Sequence, residues 1–187
     1  DMWPDAEGVD ARMQWNGPRM RINVESASAG VFQVSNATAQ WSTDDSRATR
    51  ISGHATGRLE SVLPWLSARQ DLHEYVPHLR DVAVRGDAAF DFDVSVPIRE
   101  ASRPTVRIVT ALDAVRLRVV PSLPAIEGMR GTVAFDGGKL QRSTISAKWL
   151  GGPVTLRISE RKERGATAIA VQAQGLLNAR QFLALST

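Results

Sequence analysis

The sequence contains no cysteine among its 187 residues, and this absence excludes several functions at once. Disulfide frameworks, thiolate nucleophiles and cysteine-ligated metal sites all need a residue that the chain lacks. Lysine is scarce too, because 20 of the 23 basic residues are arginine, and the net charge is only +3. A positive charge this small does not indicate a nucleic-acid-binding protein, and we predict no nucleic-acid partner.

Long hydrophobic runs are also missing. No segment approaches the ~20 consecutive apolar residues of a membrane-spanning helix, and no signal peptide opens the chain, which starts at Asp1. Hydrophobic residues nevertheless make up 43% of the sequence, a normal share for a folded domain. We interpret the chain as a piece of a longer protein, and we expect any membrane association to come from parts of that protein not present here.

The sequence lacks the short motifs that accompany common catalytic sites. No G-x-S-x-G, P-loop or G-x-G-x-x-G pattern occurs, and no two histidines have the i, i+4 spacing of a helical zinc site. Asp91 and Asp93 share one face of a predicted strand, where a solvated polar surface is more common than an acid–base pair. The sequence therefore predicts a protein that is not an enzyme and that uses no metal or cofactor.

What the sequence does contain is alternation of apolar and polar residues. The longest alternating run covers residues 82–98, where apolar residues or glycine recur at every second position from Val82 to Ile98. A period of two indicates a β-strand with one apolar face, and at ~3.3 Å per residue this run would extend over roughly 55 Å. A second alternating run covers residues 104–120. Strands this long imply a large and strongly curved or twisted sheet.

We predict an all-β, or β-dominated, protein: a long, strongly curved antiparallel sheet that forms a groove or half-barrel, with two short helices. The first helix is expected near residues 61–70, because leucine and valine recur there with helical spacing and Ser61 suits the N-cap position. The second is expected over residues 179–185, where Asn178 suits the N-cap position.

Two parts of the sequence are alike. Residues 3–20 align with residues 123–140 without a gap, and the alignment pairs Gly8 with Gly128 and Gly17 with Gly137. Any two hairpins share turn residues, so chance likeness and a true repeat both stay open. As a repeat, the pattern predicts one β unit over residues 1–120 and the first half of a second unit over residues 121–187.

Two short runs carry a resemblance to a known family. The run LPAIEG at residues 123–128 leads into a hairpin with Asp136 and Gly137 at its turn, and the run WLGGP follows at residues 149–153. These runs, and the related segment over residues 3–20, resemble the YhdP branch of the AsmA-like proteins. The resemblance implies a periplasmic β-groove with an apolar floor. It also implies a parent protein anchored in the inner membrane, and movement of lipid between the two membranes of a Gram-negative bacterium.

The resemblance makes the apolar face of the long strands a predicted lipid groove. Its candidate residues are Val82, Val84, Phe90, Phe92, Val94, Val96, Ile108 and Leu112. Arg116 and Arg118 are the candidates for contact with lipid headgroups. The expected partner is a phospholipid or another acyl-chain lipid, with envelope proteins as further partners.

The same candidate residues also suit an ordinary protein core. An alternating strand usually buries its apolar face against a second sheet or against helices. The alternative function is then a structural or protein-interaction β-module of an envelope assembly factor that binds no lipid. The shape of the sheet distinguishes the two: a closed sheet has a filled interior, and an open one has an apolar trough.

Overall fold

The computed structural model describes residues 5–42, 48–67, 82–97, 104–120, 122–163, 166–176 and 178. Within these ranges the chain forms twelve strands and one helix. In chain order they are β1 (Ala6–Asn16), β2 (Arg19–Ala29), β3 (Phe32–Ser42), β4 (Ala48–Arg58), α1 (Leu59–Ser67), β5 (Ala83–Arg85), β6 (Asp87–Pro97), β7 (Thr105–Arg118), β8 (Ile126–Asp136), β9 (Lys139–Leu140), β10 (Ser143–Trp149), β11 (Gly152–Glu163) and β12 (Ala166–Gly175).

All the strands belong to one antiparallel sheet. Its order is β1-β2-β3-β4-β6-β7-β8-β10-β11-β12, while the short strands β5 and β9 pair with β7 and β8. The sheet is curved and open, with β1 at one edge and β12 at the other. Tight turns with a positive-φ glycine, such as Gly17 and Gly30, join successive strands and so keep neighbours antiparallel. The prediction of an all-β protein with a curved antiparallel sheet is confirmed.

The predicted long strand over residues 82–98 is two strands in line. Gly86 separates β5 from β6 and adopts a φ of 126°, a conformation that favours glycine. Both strands pair with β7, where Ala114 has a φ of 54° and the register shifts after Leu112. A Cβ at Gly86 would lie 3.2 Å from the Cα of Val115. The alternation did not reveal the break, because glycine occupies an apolar-face position without disturbing the period.

Helix α1 begins at Leu59, so the prediction that Ser61 caps it is wrong, and Pro64 lies inside the helix. The physical reason is a tertiary contact. The Leu59 amide donates to the carbonyl oxygen of Gly86 at 2.9 Å, and the Gly86 amide donates to the Glu60 carboxylate at 3.1 Å. The helix therefore starts where β4 reaches Gly86. The second predicted helix, over residues 179–185, lies outside the described residues.

The buried core lies in the second half of the sheet. Ile145 is fully buried, and Val115, Met129 and Leu156 pack with it between β7, β8, β10 and β11. Leu59 of α1 joins the same cluster. The most tightly packed part of the protein is therefore formed by one face of the sheet together with the first residue of the helix.

Within the described residues, the two aligned segments share a strand length and the backbone conformation of two glycines. β1 and β8 are both 11 residues long. Gly8 and Gly128 have φ values of 58° and 60°, and Gly17 and Gly137 both have a φ of 57°. β7 pairs directly with β8, so one continuous sheet crosses the predicted boundary at residue 120. The division into two repeat units remains a prediction.

Candidate functional site

The strand register places the predicted groove residues on one side of the sheet. Phe90, Phe92, Val94 and Val96 alternate along β6 and so share a face. On that face Phe92 pairs with Ile108, Ala88 pairs with Leu112, and Val84 pairs with Leu117 across the neighbouring strands. We call this surface, with its cross-strand partners, the apolar face. Val82 directly precedes β5 and is half-buried, so it lies just beyond the strand.

The apolar face continues across the sheet as rows of cross-strand partners. One row consists of Met13, Ile22, Ala39, Ile51, Val94 and Val106. A second row, nearer the turn between β1 and β2, consists of Trp15, Met20, Trp41, Thr49 and Val96. Both rows are almost wholly apolar, so the surface is continuous from the β1 edge to the middle of the sheet.

Most of this surface is only half-buried. The predicted groove residues all fall between the buried and the exposed classes. Toward the edges exposure rises: Trp15 is 66% and Met13 64% exposed on β1, and Ile169 and Val171 are each 55% exposed on β12. No second sheet lies over the apolar face in the part of the chain that the structure describes. The face therefore differs from the sealed interior of a β-sandwich, where both inner surfaces are covered.

Helix α1 packs on one end of the apolar face. The ring of Trp65 meets that of Phe32 edge to face with centroids 5.3 Å apart, and Phe32 meets Phe90 in the same way at 5.7 Å. Gly57 makes room for this contact, because a Cβ there would lie 3.1 Å from a methyl carbon of Val62. We call this end of the strands the helix end, and the opposite end, at the β1–β2 turn, the Asn16 end.

An open depression marks the Asn16 end. It has a volume of about 350 Å³ and is lined by Trp15, Met20, Trp41 and Thr49, which are neighbours in one row across β1 to β4. The indole Nε1 of Trp15 donates to the carbonyl oxygen of Gly17 at 2.8 Å, so this polar atom is already paired within the β1–β2 turn. The lining contributes a single polar side chain, that of Thr49.

The opposite face is polar and carries charge pairs. The Arg50 guanidinium forms an ion pair with Asp93, and this hydrogen bond holds the pKa of Asp93 below its usual value. His54 Nδ1 lies 2.9 Å from a carboxylate oxygen of Asp91, and Arg130 lies 2.9 Å from Asp113. Asp91 and Asp93 therefore each face a basic side chain rather than each other. This arrangement is that of a solvated ionic surface and not of an acid–base pair.

The predicted headgroup residues lie on this polar side. Arg116 and Arg118 alternate with Val115 and Leu117, which belong to the apolar face. Both arginines are exposed, and Arg116 lies 3.5 Å from Glu127. Their contact with lipid headgroups stays a prediction.

Sequence reasoning missed the tryptophan row. The Asn16-Gly17 turn places Trp15 opposite Met20. The two-residue turn at Gly30 and Val31 then sets the β2–β3 register, which brings Trp41 to the same row. These two turns were the signal available in the sequence.

Other kinds of site find no support in the described part of the chain. Across those ranges no group of three histidine, aspartate or glutamate side chains could hold a metal ion. The one described helix is too short to cross a bilayer. The distinctive surface of these residues is the half-buried apolar face.

The fold and this face define the class of protein: an all-β protein with an open, curved antiparallel sheet of the shape expected for a groove. A family model described as YhdP protein matches residues 1–186. The chain therefore belongs to the YhdP family, which is a family of cell-envelope proteins related to lipid transfer. Neither the curated proteins nor the solved structures gave a match in the same comparisons.

Proposed function

We propose that this chain is a non-catalytic segment of an envelope lipid-transfer protein and that its apolar face holds phospholipid acyl chains. The observation that carries the proposal is the set of continuous cross-strand rows on that face, which are half-buried from β2 to β7 and exposed on β1. A folded chain normally covers such a surface, because each exposed apolar area costs free energy. A bound acyl chain would remove this apolar surface from water.

The energy available from such a contact is large enough without polar recognition. A chain of ~16 methylenes buried at ~0.8 kcal/mol each contributes about 13 kcal/mol before the costs of ordering are subtracted. A ligand held in this way needs no specific polar contacts on the groove floor. This account agrees with the apolar lining of the depression and with the absence of common catalytic motifs from the sequence.

The proposal extends to the parent protein. We place the segment in the periplasm of a Gram-negative bacterium, between the inner and outer membranes, with anchoring supplied by other parts of the parent protein. Residues 1–120 and 121–187 then serve as successive units of one groove. The matching φ values of Gly8 with Gly128, and of Gly17 with Gly137, support this arrangement.

Photocrosslinking from two adjacent positions tests lipid binding. Val94 projects from the apolar face, whereas Ser95, the next residue on β6, projects from the polar face. A benzophenone amino acid is placed at either position, and the delipidated protein is mixed with phospholipid vesicles and irradiated. We expect a phospholipid adduct by mass spectrometry at position 94 and none at position 95. Equal labelling at both positions, or none at either, contradicts the proposal.

A second candidate is a structural or protein-interaction module. It is favoured by the edge strands β1 and β12, which are 11 and 10 residues long and present backbone groups to any further strand. An edge of this kind binds a partner by strand addition. Concentration-dependent self-association of a delipidated protein that takes up no phospholipid would favour this candidate over the first.

A further inference from the structure

The connection between β7 and β8 exposes apolar side chains at the helix end of the sheet. Val119 is 52%, Val120 41% and Leu123 40% exposed, and we call these three residues the apolar turn. The Leu123 amide donates to the carbonyl oxygen of Val120 at 3.0 Å, which keeps the two residues in one tight turn. The indole Nε1 of Trp149 donates to the carbonyl oxygen of Pro124 at 3.1 Å, so the connection is also joined to the end of β10. Hydrogen bonds therefore hold these exposed side chains in place.

Two turns at the Asn16 end have a different composition. The chain reverses through Gly17 and Pro18 between β1 and β2, and through Gly137 and Gly138 between β8 and β9. Neither pair includes a branched aliphatic or an aromatic side chain, as expected for turns that face water. The apolar turn is thus a property of one end of the sheet and not of its hairpins in general.

Basic side chains lie next to the apolar turn, on the polar side of the sheet. Arg118 ends β7, Arg116 lies directly opposite Arg85 of β5, and Lys148 of β10 pairs with Glu127 of β8. All four basic residues are exposed, and we call them the basic flank. Among the described residues their one ion pair joins Arg116 to Glu127 at 3.5 Å. Like charges directly opposite each other destabilise a sheet, so a negatively charged partner would relieve this arrangement.

We propose that the helix end of the sheet docks on an anionic bilayer surface. The apolar turn enters the interfacial region of the lipids, and the basic flank contacts their phosphate groups. Interfacial binding of this kind depends on two contributions, the apolar area that is buried and the attraction of basic residues to anionic lipid. The contact goes beyond the proposed function, because it assigns a surface that touches a whole membrane and that lies outside the apolar face.

The size of the apolar turn favours a bilayer over a protein partner. A stable protein interface buries about 800 Å² on each side, whereas the apolar turn offers three side chains. Lipids are mobile and rearrange around a small inserted group, so a bilayer needs no preformed complementary surface. The basic flank suits the same partner, since arginine binds phosphate oxygens through parallel hydrogen bonds and an anionic membrane surface attracts basic residues.

Vesicle flotation tests the docking. The protein is mixed with vesicles of phosphatidylglycerol and phosphatidylcholine in equal amounts, or of phosphatidylcholine alone, and centrifuged through a density gradient. We expect the protein to float with the anionic vesicles at about 0.1 M salt and to stay unbound with the neutral ones. Near 1 M salt most of the binding should be lost, because the Debye length falls from ~10 Å to ~3 Å. Equal flotation with neutral vesicles would overturn the inference.

Serine substitutions separate the apolar turn from the apolar face. We expect Val119→Ser, Val120→Ser and Leu123→Ser, combined in one variant, to weaken vesicle binding at least tenfold. The matched control combines Ile169→Ser and Val171→Ser, because both residues are 55% exposed but lie on β12. This control should bind vesicles like the unmodified protein. All five side chains are exposed, so both variants should keep the far-ultraviolet circular dichroism of the unmodified protein.

The basic flank is tested by Arg118→Gln. This substitution should weaken binding to the anionic vesicles several-fold and reduce its dependence on salt. Arg107→Gln is the control, since Arg107 is exposed on the same strand and the same polar face, at the other end of β7. An equal effect of both substitutions would mean that the vesicles attract the net charge of the protein and not this surface.

A fluorescent label shows which end of the sheet meets the membrane. The chain has no cysteine, so Ser122→Cys and Asp136→Cys each provide a single attachment position. The first lies beside the apolar turn, and the second ends β8 at the Asn16 end. An environment-sensitive label at position 122 should emit at shorter wavelength with anionic vesicles, and the same label at position 136 should not change.

The outcomes separate docking from acyl-chain binding. If the label at position 122 does not respond, or if the apolar-turn variant binds vesicles like the unmodified protein, the docking inference is wrong, although crosslinking at position 94 can still support the proposed function. Docking without any crosslink at position 94 supports this inference and contradicts the proposed function. If light scattering shows a dimer that the apolar-turn variant loses, the turn binds a second copy and the inference is overturned.

Discussion

The carboxylate of Glu60 accepts a hydrogen bond from the amide of Gly86 at 3.1 Å, and so fastens the first turn of α1 to the point between β5 and β6. The carbonyl oxygen of the same glycine accepts from the Leu59 amide. Both peptide groups of Gly86 are thus used to hold the helix against the sheet. The helix position, and with it the coverage of the helix end of the apolar face, depends on this contact.

Stability should therefore depend on the charge of Glu60. Hydrogen bonds from its own amide and from Gly86, with help from Arg58 and against partial desolvation, hold the pKa of Glu60 below its ordinary value of 4.5. A lowered folded-state pKa means that the carboxylate stabilises the fold above about pH 4.5, and that this contribution is lost as the pH falls through the folded-state value. We expect Glu60→Gln to lower the melting temperature by a few degrees at pH 7, and the difference from the unmodified protein to shrink as the pH falls below about 4.5.

The control for this measurement is Glu25→Gln. Glu25 on β2 forms an exposed ion pair with Arg12 on β1 at 3.2 Å. Exposed pairs of this kind contribute little, so this variant should melt close to the unmodified protein at every pH. A Glu60→Gln variant that behaves like the control would show that the Gly86 contact does not hold the helix.

Gly57 is the next-to-last residue of β4 and Gly175 is the last residue of β12, and the two should respond differently to alanine. A Cβ at Gly175 would lie 2.2 Å from the carbonyl oxygen of Pro153, a backbone atom that also accepts from the Leu176 amide at 3.1 Å. At Gly57 the nearest atom is a side-chain methyl of Val62 at 3.1 Å. We expect Gly175→Ala to open the end of the β11–β12 pair, seen as faster amide exchange at Val154 and its neighbours. Gly57→Ala should instead loosen α1, and comparable exchange in β12 of both variants would contradict this account.

Ile145 and Ile169 lie at positions of the apolar face that differ widely in packing, so alanine substitutions at the two positions can be compared. Ile145 is 0% exposed and Ile169 is 55% exposed. Ile145→Ala should lower the free energy of unfolding by about 2–5 kcal/mol, since it leaves a cavity. Ile169→Ala should change it by no more than ~0.5 kcal/mol. Urea denaturation followed by circular dichroism gives both values, and equal losses would show that the edge of the face is covered after all.

A bound lipid tail should stabilise the folded protein. A ligand that binds only the folded state at about 100 times its Kd adds about 2.7 kcal/mol. We expect palmitate to raise the melting temperature of the delipidated protein by several degrees, and to raise that of a Val94→Asn variant much less. Ser95→Asn is the control, because its side chain projects from the polar face. An equal rise in both variants would mean that the fatty acid acts elsewhere.

The sequence predicted which β6 and β7 residues share a face, because side chains alternate with a period of two. It could not predict where the long run breaks. Gly86 stands at an apolar-face position, and its φ of 126° follows from its contact with Val115 and from the helix that binds it. The predicted start of α1 was wrong for the same reason. A tertiary hydrogen bond to Gly86, rather than the local N-cap preference of Ser61, decides where the helix begins.

The candidate site was predicted in part. Phe92 and Ile108 proved to be direct cross-strand partners, and the alternation pointed to both. The tryptophan row was available only by counting register through two turns, Asn16-Gly17 and Gly30-Val31. Beyond β3 even this counting fails, because Asn36 adopts a φ of 50° and the β3–β4 register shifts after Ser35. An irregularity of this kind depends on packing against Gly53, which lies on another strand.

Because the sheet has open edges, its width is set by the number of strands that it contains. The rows of the apolar face run across the strands, so their contour grows with the number of strands and not with strand length. The main path holds ten strands, and nine spacings of ~4.8 Å give the whole sheet a contour of about 43 Å, of which the rows described above occupy the part from β1 to β7. That already exceeds the ~30 Å hydrocarbon thickness of a bilayer. A sheet of this design can grow by the addition of strands at either edge. Each added strand would extend the apolar surface by a few ångströms without changing the existing strands.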